Sequence, residues 1–176
     1  MNTPDADTRR IGRRLGLLAT LAFLALGWVS FDGALERRED PNRNLVVAPG
    51  ASELVLQRNR AGHYLLPGEI NGHPVRLLLD TGATQVSVPA RLAAELGLQA
   101  GAPASVRTAN GAVTVRQTRI PRLAFGPFEF RDVAGHLNPG MQGDEVLLGM
   151  SALRHLEFTQ RGDTLTLRAP GSPGAS

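Results

Sequence analysis

The sequence predicts a mainly β domain, a small barrel or sandwich, and three observations carry that expectation. From Leu45 to Arg168, apolar and polar residues alternate with a period of two through many short runs. Two Asn-Gly pairs, Asn71-Gly72 and Asn110-Gly111, each separate two such runs. Asn-Gly is the strongest short hairpin signal, because both residues tolerate the positive φ that a tight hairpin turn requires. Further turn signals recur at the spacing expected of an all-β fold.

The elements follow in order. "HYLLPGEINGHPVRLLLD", His63–Asp80, is two apolar runs around Asn71-Gly72 and predicts a hairpin. "QVSV", Gln85–Val88, alternates as a further strand. "PARLAAELGL" then changes period: Pro89 suits a first helical turn, Leu92 and Leu96 share a face, and Gly97 closes a short helix. "ASVRTANGAVTVRQTRI", Ala104–Ile120, predicts a second hairpin, and "RLAFGPFEFRDVAGHL", Arg122–Leu137, two more strands around Gly126-Pro127. "EVLLGMSALRHLEF" holds a buried strand and then a short helix from about Ser151, and "GDTLTLR" closes with a strand.

The chain ends differ in kind. Four arginines in "RRIGRR", Arg9–Arg14, precede "LGLLATLAFLALGWVSF", a run from Leu15 to Phe31 without a charge. That length sits at the lower limit for a membrane-spanning helix. The arginines place residues 1–14 in the cytoplasm and the rest of the chain outside, on the periplasmic or extracytoplasmic side of the inner membrane. A cleaved signal peptide is the competing reading, since Ala25-Leu26-Gly27 offers small residues for processing; both readings export the domain. A buried core helix fits poorly, because the segment has no polar face. Residues 32–52 are expected to be a linker, 53–168 the folded domain and 169–176 a disordered tail.

Bulk composition excludes several functions. A pI of about 10.8 suggests nucleic acid. However, the 19 basic residues are all arginine, spread without a block of like charge, so no nucleic-acid partner is expected. With no cysteine there is neither a disulfide nor a thiolate metal site. The four histidines, His63, His73, His136 and His155, lack metal-ligand spacing, so neither metal nor cofactor is expected.

Chemistry concentrates at "LLLDTGAT", Leu77–Thr84. Burying an ionised carboxylate after three leucines is costly unless it is paired or hydrogen-bonded. Thr81 offers a hydroxyl and Gly82 a sharp turn with close backbone approach, a loop suited to holding an acid rigidly for proton transfer. A bland alternative makes Asp80 only the first residue of a turn.

With "TANG" at Thr108–Gly111 and "VLLGMSALRHLEF" at Val146–Phe158, in this order and spacing, the chain resembles the retropepsin-like aspartic proteases, in particular the bacterial, membrane-anchored, single-domain members. The resemblance runs from about Tyr64 to Arg168. It implies a small closed-barrel-like retropepsin fold with one short C-terminal helix and a short helix after the active-site loop, behind the N-terminal transmembrane helix. It makes Asp80 the catalytic aspartate, with Thr81, Gly82, Ala83 and Thr84 as its loop, and Thr108, Ala109, Asn110 and Gly111 as a flap over bound peptide. The Thr81 hydroxyl would bond across a dimer. Substrates would be extended, apolar peptides or proteins.

Only one Asp-Thr-Gly occurs, because Leu165 follows Asp163-Thr164, so the resemblance requires a homodimer in which each chain gives Asp80. Retroviral members usually carry an acid at the position of Thr84 and an arginine at that of Met150; both are absent here. The second functional class is the same fold acting as a catalytically weak peptide-binding or scaffolding domain.

Overall fold

The computed structural model describes residues 23–24, 39–108 and 111–171. Most of the apolar stretch Leu15–Phe31, the first part of the expected linker, Ala109 and Asn110 of the flap, and most of the expected tail lie outside the described residues. Among the described residues no helix is long and apolar enough to cross a membrane.

The domain is mainly β. Among the described residues its ten strands are β1 (Glu53–Gln57), β2 (Leu65–Ile70), β3 (His73–Leu79), β4 (Val86–Pro89), β5 (Pro103–Thr108), β6 (Gly111–Phe125), β7 (Phe128–Asn138), β8 (Glu145–Leu148), β9 (Glu157–Arg161) and β10 (Thr164–Arg168). Six of them run in the order β2-β3-β8-β4-β7-β6, and β2 pairs back onto β6 through Glu69↔Ala124 and Ile70↔Leu123, which closes a barrel. β5 stands outside this ring as the free arm of a hairpin with β6. A separate sheet, β1-β10-β9, packs Leu54, Leu56, Leu165 and Leu167 against the barrel core. Closure leaves the six ring strands without a free edge, which removes the template for stray pairing that open sheets carry.

The first hairpin forms where the sequence places it. Asn71 (φ 53°) and Gly72 (φ 84°) make the two-residue turn, with Ile70 opposite His73. Positive φ at both positions matches the right-handed twist of the flanking strands. The Asn71 side chain also accepts from Arg122 N (3.1 Å) and donates to Leu96 O (2.8 Å), tying the turn to the barrel wall. Period-two burial then sends Leu66, Ile70 and Leu77 fully into the core.

Two expectations about the elements are corrected. The segment after Pro89 is a single 3-10 turn, Ala90–Leu92, and a run of turns, because Pro89 still belongs to β4, opposite Asn138. Gly97 (φ 65°) then ends it, leaving too few residues to repay helix nucleation, although Leu96 is buried as expected. The strands expected on either side of Pro121 are one 15-residue strand, β6. Pro121 falls between the pairs Ile120↔Val133 and Arg122↔Arg131, beside Asp132 at φ 52°, where its missing N–H is tolerated by a local irregularity. The short C-terminal helix forms as expected, at Met150–Leu153, here α1.

The expected linker also differs in its second half, since Glu39 onward belongs to the compact unit. Asp40 is 9% and Asn42 3% exposed. Arg76 Nη1 pairs with Asp40 Oδ2 at 2.7 Å. The Asn42 amide accepts from Gln57 N (2.8 Å) and donates to Gln57 O (2.9 Å) and Leu65 O (2.7 Å), standing in for a strand neighbour. Replacing it orphans one N–H and two carbonyls in a closed space. Asn42→Ala should therefore cost about 2 kcal/mol in urea unfolding, whereas a true linker residue would change nothing measurable.

Candidate active site

The position of Asp80 follows from strand order. β3 and β8 run parallel, with Leu77 opposite Val146 and Leu79 opposite Leu148. Because β8 lies between β3 and β4, the chain leaving β3 must cross the end of β8, and it does so in the loop Asp80–Gln85. Asp80 N donates to Leu148 O (3.1 Å) and Ala83 N to Asp80 O (3.2 Å). Gly82 N donates to Asp80 Oδ1 (2.9 Å), which orients the carboxylate and balances part of its charge. Asp80 is half-buried, while Thr81, Gly82 and Thr84 are exposed.

The loop is held from behind by α1. Met150 N donates to Ala83 O (2.8 Å) and Ser151 N to Thr84 O (2.9 Å), so loop carbonyls accept the helix's first N–H groups. Gly149 makes this approach feasible: a Cβ there would lie 2.8 Å from Ala83 O and closer still to Gln85 O. The Ser151 hydroxyl accepts from Val86 N (3.0 Å) and donates to Ala134 O (2.7 Å), joining β4 to β7 directly after the loop. The supporting roles of Gly149 and Ser151 were not drawn from the sequence; the only signal was the Gly-Met-Ser step at the end of an apolar strand.

A cleft of about 760 Å³ lies between this loop and β5. Asp80, Gly82, Ala83, Thr84 and Thr108 all line it, so the two predicted motifs meet across one space. Thr81 instead faces a cavity of about 250 Å³ on the other side of the loop, with Tyr64, Leu79 and Phe158. Thr108 Oγ1 donates to Gly111 O (2.9 Å) at the hairpin neck, and Gly111 itself does not line the cleft. Among the described cleft-lining residues Asp80 is the only carboxylate.

Sequence reasoning also missed the wall that β4 and β7 give the cleft. Arg91 donates to Met141 O (3.1 Å) and Gly143 O and pairs with Asp144, pinning the turn between β7 and β8. Ser87, His136 and Asn138 line the cleft from β4 and β7. Burial holds the His136 pKa below its ordinary 6.5, since removing water disfavours the charged imidazolium. A third cavity, of about 410 Å³ beside Arg154 and His155, is also lined by Arg119 and Arg131, which are paired with Asp132 and Glu129. Among the described residues no three His, Asp or Glu side chains gather into a metal-binding group.

Residues 66–155, from β2 through α1, match the family model described as "gag-polyprotein putative aspartyl protease". The crystal structure of a retropepsin-like aspartic protease from Rickettsia conorii superposes with a TM-score of 0.57 at 29% identity, covering 66% of this chain and 90% of that one. An uncharacterised protein from the cobV 5′ region of a Sinorhizobium species is 30% identical over 178 residues, 90% of this chain and 75% of its own length. An uncharacterised protein of Rickettsia prowazekii (strain Madrid E) is 28% identical over 108 residues, 60% of this chain and 46% of its own.

The His136 environment sets a pH dependence. In the unfolded chain the imidazole takes up its proton near the ordinary value, while the folded chain resists it. Stability present above pH 6.5 should thus decline as pH falls toward the lowered folded pKa, and level off below it. Denaturant unfolding of wild type and His136→Gln across this range checks it, the substituted chain losing that part of the slope.

Proposed function

Because the chain belongs to the gag-polyprotein aspartyl protease family, with a retropepsin-like barrel, we propose that it is an aspartic endopeptidase whose active site is completed by two copies of Asp80 in a homodimer. The observation that carries this reading is Asp80 itself: a half-buried carboxylate, oriented by Gly82 N and standing alone among the described lining residues of a peptide-sized cleft. One carboxylate cannot both activate water and polarise the carbonyl, so a second must come from another chain.

Two carboxylates in contact cannot both ionise comfortably, and the pair shares one proton. The ionised Asp80 takes a proton from water as its oxygen bonds to the peptide carbonyl carbon. The protonated Asp80 of the second copy polarises the carbonyl oxygen. When the carbon–nitrogen bond breaks, the leaving amine takes up a proton from the pair, which restores the starting state. Thr81 is exposed and lines a cavity with Phe158 outside the cleft, which supports a contact between its hydroxyl and the second chain.

The stretch Leu15–Phe31 anchors the protein in the inner membrane and leaves the protease domain on the periplasmic side. Phe23 and Leu24, its two described residues, are helical and exposed, which supports an apolar helix needing a cover. Holding two chains in one plane raises their effective concentration, so the interface can be weak. This suits a chain with Thr84 and Met150 in place of the retroviral acid and arginine.

Wild type and Asp80→Asn should differ by at least about a thousand-fold in cleavage of a mixed peptide library between about pH 3 and pH 7. Cleavage that survives the substitution ends the assignment, and peptide binding without cleavage in the wild type favours a binding module. A soluble chain beginning at Glu39 should be mostly monomeric at roughly micromolar concentration, with activity rising more steeply than linearly with protein. A tight, fully active soluble dimer would refute the role given to the membrane.

A further inference from the structure

The barrel places a row of side chains across four adjacent strands. Gln117 in β6 pairs with His136 in β7, His136 with Ser87 in β4, and Ser87 with Leu147 in β8. Directly paired residues project from the same face of a sheet, and all four line the cleft beside Asp80. Asn138, two residues beyond His136, belongs to the same face and also lines it. Three successive strands therefore present polar groups where a wall for apolar side chains would be Val, Leu or Ile.

These groups are neutral and incompletely satisfied. Asn138 is 7% exposed, and its Oδ1 accepts from Gly140 N (2.8 Å), which fixes the amide so that Nδ2 is the end left over. Among the described residues Nδ2 makes no hydrogen bond, and it is not one of the side-chain atoms sealed from solvent without a partner, so it is open to an acceptor in the cleft. Ser87, 2% exposed, donates its hydroxyl to Met141 Sδ (3.2 Å), leaving oxygen lone pairs to accept. Gln117 is exposed and adds both a donor and an acceptor. His136, whose pKa burial lowers, offers one donor and one acceptor nitrogen in its neutral form. Among the described lining residues the one cation, Arg107, is on β5 and outside this row.

We infer that Ser87, Gln117, His136 and Asn138 form a specificity subsite for an uncharged carboxamide side chain, glutamine or asparagine, on the bound peptide. This rests on the cleft being the peptide site, and it departs from the apolar preference expected from the resemblance. A carboxamide brings both an oxygen to accept from Asn138 Nδ2 and an NH2 to donate toward Ser87 Oγ. A thioether or alkyl group of the same size leaves the Asn138 donor buried and unpaired. A carboxylate supplies acceptors only and would be desolvated without a cation in the row.

The test measures binding, so that it does not depend on catalysis. Full-length Asp80→Asn chain is titrated with extended peptides of fixed apolar frame, carrying Gln, Glu or Met at one position moved along the peptide. At one position Gln should bind roughly tenfold tighter than Met and than Glu. Gln117→Leu, a change at an exposed residue, and Asn138→Leu should each bring the Gln-to-Met ratio to within about twofold. Thermal unfolding establishes that each substituted chain is folded. Met binding as well as Gln at every position overturns the subsite. Glu preferred over Gln overturns its neutral character and assigns recognition to Arg107. Separate cleavage of the same peptides by wild type judges the protease reading: cleavage without Gln preference sinks only the subsite, and Gln-selective binding without cleavage sinks only the protease.

Discussion

The architecture of the site depends on one close approach, the backbone of Gly149 against the carbonyls of Ala83 and Gln85. At that point β8 ends, α1 begins and the Asp80 loop crosses over both. With no side chain at position 149, the loop carbonyls come near enough to accept from Met150 N and Ser151 N. The loop is thereby fixed at both ends and in the middle, and Asp80 inherits its direction from backbone hydrogen bonds. A carboxylate positioned this way needs little reorganisation when a reaction begins, which is the condition for efficient proton transfer.

That arrangement also accounts for an acid at the end of three leucines. Leu77 is fully buried, but Leu78, Leu79 and Asp80 are half-buried and Thr81 is exposed, so the run carries the chain out of the core and delivers the carboxylate to the rim. Ser87 and Asn138 are buried polar residues of the barrel, and both line the cleft.

Much of this was legible in the sequence because it is local. Asn71-Gly72 announced its hairpin through the φ values it permits, the period-two runs announced strands, and Asp80-Thr81-Gly82 announced the loop. What was not legible depends on partners distant in the chain. Pro121 reads as a strand break until β7 is seen to bend around it at Asp132. Asn42 reads as part of a charged linker until its amide is seen between Gln57 and Leu65. The helical pattern after Pro89 gave way because β4 claimed its first residue and Gly97 its last. Ser151 carries no local mark of its bridge to Val86 and Ala134, since those partners lie in two other strands.

The unbroken length of β6 has a mechanical meaning. From Gly111 to Phe125 it is in turn the arm over the cleft, the neighbour of β7 and the strand that meets β2 at the seam. The arm is therefore a cantilever rooted in the barrel wall, with no loop at its base to serve as a hinge. Bending it over a ligand twists a strand whose far end holds the closure with β2 through two residue pairs, Glu69↔Ala124 and Ile70↔Leu123. Load applied at the tip is thus shared with the seam, and the stiffness of the cover is set by the wall it grows from.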